Sequence, residues 1–253
     1  MALVPGATML TLDGHVHAAW SDATRGDLRP TGLGPGDGTP LARFADELSR
    51  ATDGAVGRVA WVTQVHGSHV RAVDVESSPG GPEGPPSVMH LGEGDALVSA
   101  TPGVALCVLT ADCGALALSC PEGIFGAVHA GWRGLLDGVV ESTVERMRGR
   151  GATKVVGSLG PCIHAECYEF SPGDLDTVAA VYGDRVRGRT DGDRSALDVP
   201  AGIAAALEAA GGRMVDGVDV CTACGGGQFS HRARADVARQ ALLVWSAAPR
   251  DGS

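Results

Sequence analysis

Several residue classes are scarce in this 253-residue chain, and each scarcity excludes a class of protein. Aromatic residues make up only 4% of the chain, and Lys154 is its one lysine. Twenty basic residues against 30 acidic ones give a net charge of −10, which argues against a general binder of nucleic acid or anionic membranes. No apolar run approaches the ~18 residues of a membrane span, and the first residues lack the pattern of a signal peptide. We therefore expect a cytoplasmic protein.

Apolar residues, by contrast, account for 44% of the chain and recur along nearly all of it, which excludes low-complexity disorder and provides for a large core. Strand patterns and helix patterns are mixed without strict alternation, and this favours an α+β fold over a doubly wound parallel sheet. We expect a single domain over residues 1–253, beginning with a loop-rich segment over residues 1–38.

Hydrophobic periodicity predicts the individual elements. Helices are predicted at residues 39–53, 135–148, 174–182 and 201–210. Strands are predicted at residues 59–65, 104–109, 115–119, 124–128, 155–159 and 213–220. Residues 236–245 fit a helix or a strand equally well, and the Gly- and Pro-rich residues 32–38 and 77–86 are predicted loops.

Three segments share one pattern, in which an apolar strand is followed by a metal-capable side chain and then by glycine. These side chains are His66, Cys113 and His129. Two imidazoles and one thiolate can hold a zinc ion with its fourth position open, as in catalytic zinc sites. The spacing alone is not specific, since a cysteine after a strand also serves as a small core residue and a histidine there is often only hydrogen-bonded.

The chain has seven cysteines, an odd number in a chain too long for a disulfide-dense mini-domain. Cys107 and Cys120 lie on or beside strands and are expected in the core. A four-cysteine zinc site is a further possibility, although its first half-site has irregular spacing; it would use Cys162, Cys167, Cys221 and Cys224. The Cys-x-x-Cys at its end lacks the strand and helix that flank a redox motif.

A series of short blocks resembles the YfiH/YlmD family, formerly grouped as multicopper polyphenol oxidase or laccase-domain proteins. The most specific block is His129-Ala-Gly-Trp132-Arg133-Gly134. Others are Gln64-Val-His66-Gly67, Gly94-Asp95-Ala96-Leu97-Val98, Leu109-Thr-Ala-Asp112-Cys113, Gly160-Pro161-Cys162-Ile163, Cys167-Tyr168-Glu169 and Cys221-Thr222. The resemblance spans residues 59–245. Members of this family are described as purine nucleoside phosphorylases with adenosine deaminase activity, some of which also cleave methylthioadenosine.

This resemblance implies a layered α/β/β/α fold with mixed sheets and flanking helices, shared with the catalytic domain of cytotoxic necrotizing factor toxins. It also implies one Zn²⁺ per chain, held by His66, Cys113 and His129, with purine nucleosides and phosphate as substrates. Asp112 is the nearest candidate for proton transfer and Asp95 is the other, although Asp112 also suits a turn or a cap. Arg133, near the start of a helix, is the candidate for phosphate binding, with a salt bridge as the alternative. Gln64, Asp95 and Arg232 are the expected substrate contacts, and Arg25 is a weaker candidate for the phosphate.

Some family motifs are altered in this chain. Where the family has Ser-Tyr-Arg-Arg, this sequence reads Ser230-His231-Arg232-Ala233, and the expected Gly-Arg pair reads Ala238-Arg239. The amino-terminal signatures are degraded near Arg25 and Gly34. These departures concern substrate contacts and leave the three metal-capable residues intact.

Three other functions compete with the phosphorylase. Cys113 and His129 could act as nucleophile and base of a cysteine hydrolase without metal. A binding module with weakened catalysis would fit the altered terminal motifs. A copper oxidase needs several His-x-His pairs for a trinuclear cluster, and this chain offers only His15-Val-His17 among its eight histidines, which argues against this third function.

Overall fold

The computed structural model describes residues 4–30, 39–52, 56–74 and 86–246. The predicted loop at 32–38 and all but the last residue of the one at 77–86 lie outside these ranges. The strands are β1 (Ala7–Leu12), β2 (Val16–Ser21), β3 (Arg58–Thr63), β4 (Val70–Ala72), β5 (Ser87–Glu93), β6 (Ala96–Ser99), β7 (Val104–Thr110), β8 (Gly114–Ser119), β9 (Phe125–Ala130), β10 (Val156–Leu159), β11 (Arg187–Arg189), β12 (Ser195–Leu197), β13 (Arg213–Met214) and β14 (Gln240–Ser246). The α-helices are α1 (Pro40–Ala51), α2 (Trp132–Leu136), α3 (Val139–Arg148), α4 (Pro172–Tyr182), α5 (Val199–Ala209) and α6 (His231–Arg234).

Two six-stranded mixed sheets form the centre of the fold. The first has the order β1-β2-β14-β7-β3-β5, and the second has the order β13-β10-β8-β9-β6-β4. Parallel pairs occur at β3 with β5 and β7, at β4 with β6, and at β10 with β13, while the other pairs of these sheets are antiparallel. A two-stranded sheet of β11 and β12 stands apart.

Three apolar clusters account for the layering. Side chains of β7 and β14 meet those of β8 and β9 in the cluster between the two sheets, which includes Leu106 and Phe125. Helix α1 covers the outer face of the first sheet, with Phe44 buried against it. Helices α3, α4 and α5 cover the outer face of the second, with Met147 and Ile203 fully buried. Each sheet thus buries both faces, and the expected α+β fold with α/β/β/α layers is confirmed.

The amino-terminal segment is more regular than predicted. Instead of loops, β1 and β2 form an antiparallel hairpin in which Leu12 pairs with Val16. Asp13 and Gly14 turn the chain with positive φ angles of 45° and 77°. Asp-Gly is a strong hairpin signal because aspartate and glycine tolerate this left-handed backbone, so the prediction of a loop over residues 1–38 was wrong for this part.

The predicted helix after Gly134 is interrupted. Helix α2 ends at Leu136 and α3 begins at Val139, because Gly138 takes a left-handed conformation with φ of 78°. The apolar stripe continues across the break, since Leu135, Val140 and Val144 remain fully buried. Arg133 therefore lies in a five-residue helix and not at the start of a long one.

Two strand predictions meet different outcomes near the carboxyl end. The strand predicted at 213–220 shortens to Arg213–Met214. The backbone N–H groups of Val215 and Val218 still donate to the carbonyls of Gly157 and Leu159 in β10, but they are three residues apart against two in β10, and this breaks the regular ladder. The ambiguous segment 236–245 becomes β14, which lies between β2 and β7. Every residue of β14 is buried, so its continuous apolar run carries no period that separates strand from helix. No helix among the described residues is long and apolar enough to cross a membrane.

We predict that Gly160→Ala destabilises the fold. A Cβ at this position would overlap the indole ring of Trp20, which is buried and donates a hydrogen bond from Nε1 to the carbonyl of Ala115 at 3.0 Å. The expected loss of unfolding free energy is about 1–3 kcal/mol, measured by urea denaturation. Gly173→Ala is the matched control, because its Cβ meets nothing within 4 Å. Equal stability of the two variants would contradict this packing.

Candidate active site

The three metal-capable side chains converge at one edge of the two sheets. His66 follows β3 in a left-handed conformation with φ of 62°, Cys113 lies in the connection from β7 to β8, and His129 is the penultimate residue of β9. The Sγ atom of Cys113 is 3.9 Å from Nε2 of His66, and the two imidazole rings meet edge to face with centroids 4.9 Å apart. One donor atom from each of the three lies within 4.8 Å of the others, so the group could hold a metal ion.

Asp95 holds two of these residues in place from beneath. Its Oδ1 accepts hydrogen bonds from Nδ1 of His129 and from the backbone N–H of His66, both at 2.9 Å. Its Oδ2 accepts from the backbone N–H groups of Gly67 at 2.8 Å and Val65 at 3.2 Å. Asp95 is 0% exposed and is not part of the cavity wall, and its hydrogen bonds orient the two donor residues. Its expected contact with the substrate stays a prediction.

The protonation of this group follows from the same contacts. Burial alone would raise the pKa of Asp95, but the hydrogen bonds from His129, Gly67 and His66 outweigh it and hold that pKa below its usual value. Burial would likewise raise the pKa of the Cys113 thiol, yet the nearby His129 and His66 lower it to about 6. The pKa of His129 rises to about 9, because Cys113 and Asp95 overcome the effect of burial. Cys113 is therefore disposed to be a thiolate, the form that binds metals.

Gly131 keeps the thiol accessible. A Cβ at this position would lie 3.0 Å from Sγ of Cys113 and 3.1 Å from Cδ2 of His66. Any larger residue would therefore fill the space beside the three donors. The narrow space beside the donors thus explains why the sequence pattern has a glycine, Gly131, shortly after His129.

A cavity of about 690 Å³ opens above the donors, a volume typical of small-molecule sites. His66, Cys113 and His129 form part of its wall. Four arginines line the same cavity, namely Arg29, Arg133, Arg232 and Arg239. A chain with an overall charge of −10 thus gathers positive charge at this one place.

The arginines differ in how fully they are engaged. Arg29 is paired with Asp27 through hydrogen bonds at 2.6–3.1 Å. Arg239 donates from Nη1 to three backbone carbonyls of its own loop. Arg232 donates to the carbonyl of Glu169 and lies over the ring of Tyr168. Arg133 stacks on Trp132 with its Cζ 4.4 Å from the ring centroid, and within the described part of the chain it has no carboxylate partner.

The other sequence candidates are placed as follows. Gln64 lines the cavity, but its amide is paired with the backbone of Leu109 through Nε2–O at 2.6 Å and N–Oε1 at 2.8 Å. Asp112 lines it too, and its carboxylate accepts from the Thr222 hydroxyl at 2.6 Å and the Arg232 backbone N–H at 2.7 Å. These hydrogen bonds hold neighbouring segments in place, and the proposed roles of Gln64 and Asp112 towards the substrate stay predictions. Arg25 lies outside the cavity wall and pairs with Glu47.

Sequence reasoning assigned no role to several residues of the wall. Arg29, Trp61, Tyr168 and His231 all face the cavity. Tyr168 carried a signal, since it stands in a block that resembles the family, and burial together with the nearby Cys113 raises its pKa to about 12. Arg29 carried no such signal, because only the fold brings its loop beside Arg239, whose carbonyl accepts from the backbone N–H of Leu28 and whose own N–H donates to the Asp27 carboxylate.

Comparison with known proteins places this site in a family. A family model described as multi-copper polyphenol oxidoreductase laccase matches residues 39–247. The chain belongs to this family. The YfiH/YlmD resemblance is confirmed by solved structures: YfiH of Bacillus licheniformis superposes with a TM-score of 0.76 at 18% identity, covering 96% of this chain and 97% of that one. YlmD of Geobacillus stearothermophilus gives 0.74 at 21%, covering 98% of each chain. These two likenesses concern the fold.

Relatives within this laccase-like family carry a different name. A Streptomyces griseus protein named purine nucleoside phosphorylase ORF3 is 33% identical over 242 residues, covering 92% of this chain and 95% of its own. A Streptomyces coelicolor protein named purine nucleoside phosphorylase SCO2081 is 38% identical over 191 residues, covering 74% and 75%.

We predict that Asp95→Asn lowers the unfolding free energy by about 3 kcal/mol, because an amide leaves buried donors unpaired around His129 and the 65–67 turn. Urea denaturation of chelator-treated protein measures this. Since the folded-state pKa of Asp95 is lowered, the contribution is present above the unfolded-state value of about 3.9 and is lost as the pH falls below it. Asp74→Asn, at an exposed ion pair with Arg150, is the control and should cost at most about 1 kcal/mol. A loss below 1 kcal/mol for Asp95→Asn would refute its central role.

Proposed function

We propose that this protein is a zinc-dependent purine nucleoside phosphorylase acting on adenosine- and inosine-type nucleosides. The observation that carries the proposal is that one cavity combines the His66, Cys113 and His129 donors with Arg133, which pairs with no carboxylate among the residues that the structure describes. The printed names of the relatives support the same reaction.

The donor set fits zinc. Tetrahedral ligands at the usual Zn–N and Zn–S bond lengths stand roughly 3.6 Å apart, and the Sγ–Nε2 separation of 3.9 Å is close to this. The carboxylate of Asp95 fixes the ring of His129 through Nδ1 and so leaves Nε2 for the metal. When bound, zinc would supply Lewis-acid activation of a substrate group or of water.

Phosphorolysis breaks the bond between C1′ of the ribose and N9 of the purine, and forms a bond between C1′ and a phosphate oxygen. The protein must therefore hold a phosphate beside the ribose while positive charge develops on the sugar. Arg133 suits this role, because its guanidinium is fixed by Trp132 and keeps its hydrogen-bond donors for an anion. Arg232 lines the same cavity beside Tyr168, and its backbone N–H donates to the Asp112 carboxylate.

Adenosine deamination and methylthioadenosine phosphorolysis are proposed as further reactions of the same cavity. Deamination replaces the amino group at C6 by a hydroxyl from water, which needs an activated water beside the base. Trp61 and Tyr168 offer aromatic surfaces in the wall on which a purine can stack. Ammonia release from adenosine and adenine release from methylthioadenosine test these two reactions.

A cysteine hydrolase is the second candidate. Cys113, His129 and Asp95 stand in the order of nucleophile, base and orienting carboxylate, and the pKa of Cys113 is already lowered to about 6. A copper oxidase has weaker support, because the grouped donors around Cys113 are two imidazoles and one thiolate, and His15 and His17 are absent from the cavity wall.

We predict that Cys113→Ala lowers the bound zinc by about one equivalent per chain and abolishes the phosphate-dependent release of base from inosine, because it removes the one sulfur ligand of this set. Elemental analysis and chromatography of the base measure these effects. Cys107→Ala, a substitution of a fully buried core cysteine outside the donor group, is the control. Metal-free protein that hydrolyses amides through Cys113 would favour the hydrolase instead. Zinc-loaded protein that is inert towards every purine nucleoside would favour a binding module.

We also predict that Arg133→Met reduces kcat/KM for phosphate about 10- to 100-fold, the effect of losing charge-assisted hydrogen bonds worth about 1.5–3 kcal/mol. The KM for the nucleoside should change much less. Initial rates at varied phosphate concentration measure the effect, and Arg50→Met, on the exposed face of α1, is the control. An unchanged dependence on phosphate would place the anion elsewhere.

A further inference from the structure

A second group of metal-capable side chains lies outside the cavity. Sγ of Cys167 is 3.2 Å from Sγ of Cys224, which is 3.3 Å from Oε1 of Glu166. With Cys221 these residues place four donor atoms within 4.8 Å of one another. We propose that this group is a separate, structural zinc site with three thiolate ligands and one carboxylate.

The structure corrects the four-cysteine set considered from the sequence. Cys162 is 1% exposed and packs in the core beneath the second sheet, so its thiol does not join the others. It contributes its backbone instead, which pairs with Cys221 in an isolated β-bridge and brings the two chain segments together. Glu166 takes the fourth place because it adjoins Cys167 in the same short 3₁₀ turn.

The donor chemistry indicates zinc. Thiolates with one carboxylate or imidazole form closed four-ligand sites, whereas catalytic zinc keeps one position open. The backbone N–H of His164 donates to Sγ of Cys221 at 3.4 Å, the kind of outer contact that supports a thiolate ligand. A Cys167–Cys224 disulfide would use two of these donors and give Cys221 and Glu166 no role.

The position of the group gives the metal a structural task. Residues 215–230 contain no helix or strand, although this segment carries Thr222, whose hydroxyl donates to Asp112 beside Cys113. A metal at Cys221 and Cys224 would hold both ends of the short turn that presents Thr222. The protein would then bind two zinc ions per chain, one more than the resemblance implies.

Cobalt(II) substitution of the full chain tests the proposal. Cys113→Ser removes the one thiol of the cavity site, so any remaining thiolate–cobalt charge-transfer absorption reports on the second group alone. We expect Cys113→Ser protein to keep this absorption and one metal equivalent, and Cys113→Ser/Cys224→Ser protein to lose both. Cys113→Ser/Cys120→Ala is the matched control and should keep both, because Cys120 is buried outside either group.

Two results would overturn the proposal. One is Cys113→Ser protein that binds no cobalt through sulfur although its thiols are reduced. The other is an intact mass two hydrogens lighter, with Cys167 and Cys224 joined as a disulfide. Should the serine variants fail to fold, Glu166→Gln keeps all three thiols and should still weaken retention of the second metal against a chelator, by at least about 10-fold. Wild-type protein that binds metal at the second group but none in the cavity would refute the proposed function while supporting this second site.

Discussion

One buried carboxylate determines the geometry on which the candidate site depends. Asp95 immediately precedes β6 of the second sheet, while the turn at residues 65–67, whose N–H groups donate to it, follows β3 of the first sheet. Its two oxygens therefore join the sheets at the point where His66 and His129 meet. A buried charge with four hydrogen-bond donors is stable only while all four are present, so the arrangement admits little variation. The left-handed backbone of His66, unfavourable for a residue with a Cβ, is sustained by that same set of bonds.

Asp112, which precedes Cys113, also uses its carboxylate to hold neighbouring segments together. It is another non-glycine residue with a positive φ, 96°, and its carboxylate binds Thr222 and the backbone of Arg232. Strained backbone thus stands at one proposed ligand and immediately beside another. The two carboxylates predicted to contact substrate or transfer a proton also fix the loops that carry the thiol and the Arg232 guanidinium. Either role places an aspartate close to the donor residues, so the sequence does not distinguish an aspartate that fixes a loop from one that acts on the substrate.

The sequence was sufficient wherever local chemistry determines structure. The strand patterns before His66 and Cys113 made them candidate donors, and the family resemblance joined them with His129 into one set. The helix at 39–53 formed as α1 because its apolar face recurs with helical period. The Asp13–Gly14 hairpin was also within reach, since the turn signal is local. Other features depend on tertiary contacts that no local pattern records. The approach of Arg29 to the cavity is one, and the exchange of Cys162 for Glu166 in the second donor group is another.

The net charge of the chain and the charges around the cavity affect different kinds of ligand. Exposed carboxylates more than about 10 Å from a bound anion are largely screened at physiological ionic strength. The overall −10 therefore repels an extended polyanion that must lie along the surface, yet it matters little to a single phosphate within the cavity. There the nearest charges decide, and those of Arg29 and Asp27 offset each other as an ion pair. The Trp132 ring that holds Arg133 carries no net charge, so the guanidinium keeps its full positive charge for a ligand. The net negative charge of the chain is therefore compatible with the phosphate binding proposed for this cavity.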